Sequence, residues 1–143
     1  MDVDVKHRSM ILMWFALLAS IVLYFVMTIV AHFEIRESQT PSEAWLIVGL
    51  TALAMILVIV SFVLKQKFLR RSVDEQNVGL VQSGYVLAWA LCEASALFGF
   101  LECFAFGYRR YYALMLLGAI GIGIQFPRRD HIVAATFKDS NKI

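Results

Sequence analysis

Residues 44–64 read AWLIVGLTALAMILVIVSFVL, 21 positions without a charge. At a rise of about 1.5 Å per residue such a run reaches about 31 Å, close to the hydrocarbon thickness of a bilayer, which takes roughly 20 apolar residues to cross as a helix. Strands of a membrane barrel are about 10 residues long and alternate strictly, whereas this run is continuous. In lipid its backbone N–H and C=O groups must be paired within the segment, and a helix does that. The same reasoning covers residues 10–31, which are 22 uncharged positions, and residues 84–106, which are 23 positions interrupted by Glu93 and Glu102. Residues 111–126 form a shorter run of 16. Arg109, Arg110, Arg128 and Arg129 flank it, and their long side chains can snorkel to the headgroups and cover the shortfall; a re-entrant segment is the alternative. The sequence therefore predicts an all-α membrane protein of four transmembrane helices in an antiparallel bundle, with spans 10–31, 44–64, 84–106 and 111–126 and a tail 127–143, all in one membrane domain.

Composition agrees. The 143 residues are 60% hydrophobic and 17% charged, with a mean hydropathy of +0.71, against about 45–50% and 25% for soluble domains. Such a chain is too apolar for disorder. Its net charge of +2 is too small and too scattered for a nucleic-acid footprint. The first span is longer than the roughly 7–15 residues of a signal-peptide core and closes on Ile29-Val30-Ala31 without a small residue at the minus-three position, so it reads as an uncleaved anchor.

Basic residues set the orientation. With both termini cytoplasmic, Lys6, Arg8, Lys65, Lys67, Arg70, Arg71, Arg128, Arg129, Lys138 and Lys142 lie inside, and only Arg36, Arg109 and Arg110 lie outside, ten against three. Both termini are expected in the cytoplasm. Trp14, Trp45, Tyr85, Tyr108, Tyr111 and Tyr112 fall near span ends, where amphipathic rings favour the interface. Trp89 is deeper, and its indole N–H needs a partner there. Ser42 is a plausible helix N-cap after the turn at Pro41. Residues 66–78 read as a polar inner loop, Gly107 breaks the third span, and Pro127 stops the fourth. The tail from residue 128 is too short to fold alone.

Glu93 is the most informative side chain. It stands nine residues from one end of its span and thirteen from the other, and an ionisable group at that depth is costly, so it marks a functional site or a buried pair. It is the candidate proton- or cation-binding residue; a structural hydrogen bond to a neighbouring helix is the competing role. Partners for it are available from Ser20, Tyr24, Thr28, Thr51, Ser61 and Gln125, while no span contains Lys or Arg. Glu102 lies nine residues on, half a turn away in angle at about 100° per residue. The two carboxyls thus face opposite sides, and Glu102 is expected to form an interfacial ion pair with Arg109.

Small residues recur at steps of three and four along the third span, at Ala88, Cys92, Ser95, Gly99 and Cys103, and again in the fourth at Gly118, Gly121 and Gly123. This seam predicts close packing of helix backbones. Cys92 and Cys103 are about 16 Å apart along one helix and cannot bridge. His7, His32 and His131 all sit at or beyond span ends, which disfavours a haem held between helices. No zinc spacing, phosphate loop or nucleophile elbow occurs, so neither an enzyme nor a cofactor is expected.

The stretch Ala90-Leu-Cys-Glu93-Ala-Ser-Ala-Leu-Phe98-Gly99-Phe resembles the carboxylate helix of the proteolipid c subunit of rotary ATPases, a Glu or Asp followed by small residues and a segment such as Ala-Leu-Phe-Gly. The resemblance implies that Glu93 matches the proton-binding carboxylate. Gly118-Ala-Ile-Gly121-Ile-Gly123 is similar to the glycine-rich helix of that family, although there it precedes the carboxylate helix and here it follows. The chain also resembles small bacterial four-span proteins of uncharacterised activity, which implies a multi-pass protein of the bacterial inner membrane. In size and span count it is similar to small multidrug antiporters, whose key Glu lies in the first helix. Two functions are expected: association, as a small accessory subunit of a membrane complex or with copies of itself, or proton- or cation-coupled transport through Glu93.

Overall fold

The computed structural model describes residues 3–31, 41–107 and 110–136. They form five helices: α1 (Val3–Val30), α2 (Pro41–Asp74), α3 (Val78–Phe106), α4 (Tyr111–Ile124) and α5 (Arg129–Thr136). Three of them, α1, α2 and α3, are long and apolar enough to cross a membrane, and α4 is a shorter apolar helix. Burial rises from α1 to α3, with 11%, 22% and 44% of their most apolar stretches covered by the rest of the chain. Rows of large apolar side chains on α1 and α2, among them Leu12, Phe15, Val22, Leu46, Ile56 and Ile59, face outward. A soluble monomer does not leave such a surface wet.

α3 is the spine, packed against each of the other four helices. It lies antiparallel to α2 along a continuous ladder: Thr51 meets Glu102, Ser61 meets Cys92, and Lys65 stands over the Tyr85 ring. The ladder continues past the uncharged run. Residues 66–74, expected in a loop, complete α2, and the connection shrinks to Glu75–Asn77. The reason is local: residues 65–75 contain neither Gly nor Pro and are rich in Lys, Gln, Leu and Arg, which lose little rotamer freedom in a helix. Val81 and Ser72 are buried where the extended ends of α2 and α3 meet. α2 ends in a Schellman-type turn, with Asn77 N–H donating to Ser72 O (3.0 Å) and Gln76 left-handed at φ 48°. Asn77 then caps α3 by accepting from Gly79 N–H (2.9 Å).

α2 starts at Pro41, the residue type favoured in a first helical position, so Ser42 lies inside the first turn and is not the cap. Gly107, at φ 61°, closes α3 as its left-handed cap. α4 runs back along α3 at very short range. A Cβ added to Gly99 would come within 2.7 Å of Tyr111 O, one on Gly118 within 2.6 Å of Cys92 O, and one on Gly121 within 2.8 Å of Cys92 Sγ. Ala88, Cys92, Ser95, Gly99, Cys103, Gly118 and Gly121 are all buried. Gly123 departs from the expected seam: a Cβ there meets nothing within 4 Å, because it projects from the opposite side of α4.

The tail also departs from expectation. Residues 129–136 form α5, which lies across the basic ends of α1, α2 and α3 with Ile132 and Ala135 buried beneath it. Eight residues are too few for a stable isolated helix, so docking sustains it. An exposed ion pair, Arg129 to Asp4 (2.9 Å), joins α5 to α1.

Gly118→Ala is expected to lower the thermal unfolding midpoint in detergent, at a cost of about 1–3 kcal/mol for overpacking against backbone. Gly123→Ala should leave the midpoint unchanged or raise it, since alanine is worth up to about 1 kcal/mol over glycine inside a helix. Equal shifts for the two would show that α4 meets α3 through a different face.

Candidate functional site

The bundle holds its polar groups in three clusters. The first is Glu93, on the side of α3 that faces α1. Ser20 Oγ and Tyr24 Oη, one turn apart on α1, both reach the same carboxyl oxygen, Oε1, at 2.5 and 3.2 Å. Ser20 Oγ also lies 2.7 Å from Leu17 O. Glu93, Ser20 and Tyr24 are each only half-buried, so the cluster opens on the flank of the bundle. Among the described residues no group bonds the other carboxyl oxygen. The ladder to α2 sets the height of the site. Glu93 follows Cys92, which meets Ser61, and Ser61 is four residues, or about 6 Å, from Lys65. Measured along α2, Glu93 is therefore nearer the basic end than the centre where its position in α3 alone would put it.

The second cluster is Glu102. It faces α2, opposite in angle to Glu93 as the nine-residue spacing requires, and accepts from Thr51 Oγ1 (3.0 Å). It is 1% exposed. Thr51 is seven residues, about 10 Å, inside the start of the uncharged run, so this carboxyl is enclosed in the bundle and not at its rim. Arg109, its expected partner, lies outside the described residues.

The third cluster surrounds the end of α4. The last four carbonyls of a helix have no partner within it, and α4 ends beside buried residues. Four side chains from other helices reach carbonyls at this end and just beyond it, of which Ile122 O also accepts from Gln125 N–H (3.1 Å). Trp14 Nε1–H donates to Ile122 O (2.9 Å), Trp89 Nε1–H to Gln125 O (3.0 Å) and the Tyr85 hydroxyl to Phe126 O (3.5 Å), while the His7 ring nitrogen lies 3.3 Å from Pro127 O. This answers what the deep indole of Trp89 bonds to. The Gln125 side chain is itself buried, with Nε2 donating to Ser61 Oγ (3.0 Å) and lying 3.5 Å from Cys92 Sγ. The Ser61 hydroxyl donates to Val58 O (2.6 Å). Gln125 Oε1 and Ser95 Oγ are buried without a hydrogen-bond partner among the described residues.

Of the six side chains suggested as partners for Glu93, the structure gives Ser20 and Tyr24 to it, Thr51 to Glu102, and Ser61 and Gln125 to each other; Thr28 turns back onto Phe25 O (2.7 Å). Cys92 and Cys103 are buried free thiols. No group of three or more His, Cys, Asp or Glu able to hold a metal occurs among the described residues.

His131 on α5 is a contact that sequence reasoning missed. Its Nδ1 is 2.6 Å from the Tyr85 hydroxyl, which also accepts from Arg128 N–H (3.4 Å). Only the three-residue rhythm from Arg128 to His131 and the apolar Ile132 and Ala135 hinted that the tail had a side to bury. Burial lowers the pKa of His131, and the nearby cations Lys65 and Arg128 lower it further, against a smaller opposing pull from Asp130.

Two predictions follow from these bonds. Trp89→Phe keeps the ring and removes the donor to Gln125 O, and should cost about 1–3 kcal/mol as an orphaned buried carbonyl; Trp45→Phe, at a side chain 78% exposed, should cost nothing measurable in the same melt. The histidine gives a pH dependence. Its folded pKa lies below the unfolded value of 6.5, so the unfolded or undocked tail binds the extra proton. Docking of α5 is complete above about pH 6.5 and weakens as pH falls below it. Hydrogen exchange of residues 129–136 should accelerate between pH 7.5 and 5.5 beyond the intrinsic pH effect, and His131→Phe should flatten that difference.

No family model matches the chain, and neither does any curated protein or solved structure.

Proposed function

We propose that this chain is a multi-pass protein of the bacterial inner membrane that works by association, as a small accessory subunit of a membrane complex or with copies of itself. In this reading α4 crosses with the three longer helices, snorkelling arginines cover its shortfall, and both termini face the cytoplasm. The observation that carries the reading is the placement of Glu93 with Ser20 and Tyr24 on the flank of the bundle, half-buried. A path through the chain itself would enclose such groups, as Glu102 is enclosed. A carboxyl on a lipid-facing flank calls for hydrogen-bonding groups from another chain, and polar side chains between helices hold membrane assemblies together. The close-packing glycines do not supply that contact, because Gly99, Gly118 and Gly121 are used within the chain.

Purification in mild detergent, followed by native mass spectrometry, tests this. The chain should be recovered with a further copy or another membrane protein. An interhelical hydrogen bond in a membrane averages about 0.6 and reaches about 1.7 kcal/mol, so Glu93→Leu should weaken the assembly roughly 3- to 20-fold, while Glu93→Gln keeps an oxygen for Ser20 and Tyr24 and should preserve it. A monomer in both detergent and nanodiscs overturns the association reading. Reporter fusions after residue 136 should report a cytoplasmic location, and one in residues 32–40 the opposite side.

The convergence of two hydroxyls on one carboxyl oxygen favours a second reading, in which Glu93 carries a proton or cation. Proteoliposomes decide it. Proton flux that is lost in Glu93→Gln while assembly persists establishes the carrier; wild-type vesicles as tight as protein-free ones remove it.

A further inference from the structure

Leu64, Lys67, Phe68 and Arg71 line a shallow groove on α2. Their spacing puts them on one stripe of the helix, at the point where its uncharged run ends. Leu64 and Phe68 are half-buried and form an apolar floor, while Lys67 and Arg71 are exposed. The floor is fixed from behind: a Cβ on Gly84 of α3 would come within 2.6 Å of Phe68 Cβ, so that side chain is wedged in place and sets the edge of the groove. Arg71 engages Glu75 through Nε (2.5 Å), a contact that does not use the two terminal nitrogens of its exposed guanidinium. Two cations thus stand over an apolar floor, level with the bilayer surface if α2 spans the membrane.

We propose that this groove binds an anionic phospholipid, with the phosphate between Lys67 and Arg71 and the first part of an acyl chain over Leu64 and Phe68. The charge pattern selects the occupant. A protein segment with an acidic side chain would answer the cations but not lie along a floor continuous with the lipid-facing side of α2, whereas an anionic lipid already sits there with its charge at the right height. The inference rests on the membrane reading above.

The test uses the full chain in a mild neutral detergent, with native mass spectrometry to count bound lipid on titrating phosphatidylglycerol, phosphatidylcholine or inorganic phosphate. Phosphatidylglycerol should bind about tenfold more tightly than phosphatidylcholine. The preference should disappear in Lys67→Gln/Arg71→Gln, two exposed positions whose change leaves helicity by circular dichroism intact. Phe68→Ala should weaken both lipids alike. Equal affinity for the two lipids, or a preference that survives the double variant, overturns the proposal. Inorganic phosphate that displaces phosphatidylglycerol at equal concentration overturns the lipid and leaves a bare anion site. Alkaline-carbonate extraction separates the two failures. A chain that leaves the membrane fraction refutes the membrane reading and this site with it; a chain that stays and shows no lipid preference refutes this site alone.

Discussion

The rest of the fold depends on how α4 ends. α4 stops after 14 residues, about 21 Å, and the carbonyls at and just beyond its end lie beside buried side chains. There each unpaired backbone group costs several kcal/mol. The chain meets this by importing donors. Trp14 comes from α1, Trp89 and Tyr85 come from α3, and the imidazole of His7 lies close to the last of the four carbonyls. These bonds tie three helices to one point. α1 in particular has few other reasons to stay, since it buries the least of its surface. Among its attachments are the Trp14 bond, the Trp14–Phe126 edge contact at 5.2 Å, His7 beside Pro127 O, the two hydroxyls on Glu93, the ion pair of Asp4 with Arg129 and the buried Met10 and Ile21.

The same end positions α5. Pro127 stops α4, the chain turns, and Tyr85 holds both the turn, through Arg128 N–H, and the docked helix, through His131. One phenol therefore serves two backbone groups and an imidazole, with Lys65 over its ring at 5.0 Å. At the far end the constraint differs in kind. α3 and α4 approach so closely at Gly99 that any side chain would enter the backbone of Tyr111, and Gly107 makes the left-handed turn that lets α4 return at that distance. The α3–α4 pair is thus fixed by absent side chains at one end and by donated hydrogen bonds at the other.

What the sequence disclosed follows from which effects are local. The three long apolar helices were legible because lipid demands length and an unbroken lack of charge, and both are counted along the chain. The opposite facing of Glu93 and Glu102 followed from helical angle alone. The α3–α4 glycines were legible as a pattern, but Gly123 shows the limit: spacing identifies small residues, and only the partner helix decides which of them face it. The loop expected at residues 66–78 is helix as far as Asp74, because polarity is not irregularity: Lys, Gln and Arg lose little rotamer freedom in a helix and carry it past the uncharged run. The height of Glu93 and the enclosure of Glu102 depend on the register between α2 and α3, which no single segment encodes. The docking of α5 depends on Tyr85, more than 40 residues earlier in the chain.

The two carboxyls show how register turns similar residues to different uses. Glu102 and Glu93 lie on one helix, each bonded by hydroxyls from one neighbour. Glu102 meets α2, the helix most extensively packed on α3, and is closed off by it. Glu93 meets α1, the least buried of the three long helices, and stays half-buried. A group enclosed by its own chain can stabilise that chain and do little more. A group held by Ser20 and Tyr24 on one oxygen, with no partner for the other among the described residues, is fixed in orientation and still able to bond. A buried polar group costs stability in proportion to what it leaves unbonded, and by that measure two glutamates nine residues apart on one helix carry different constraints: one is closed off by its own chain and the other is not.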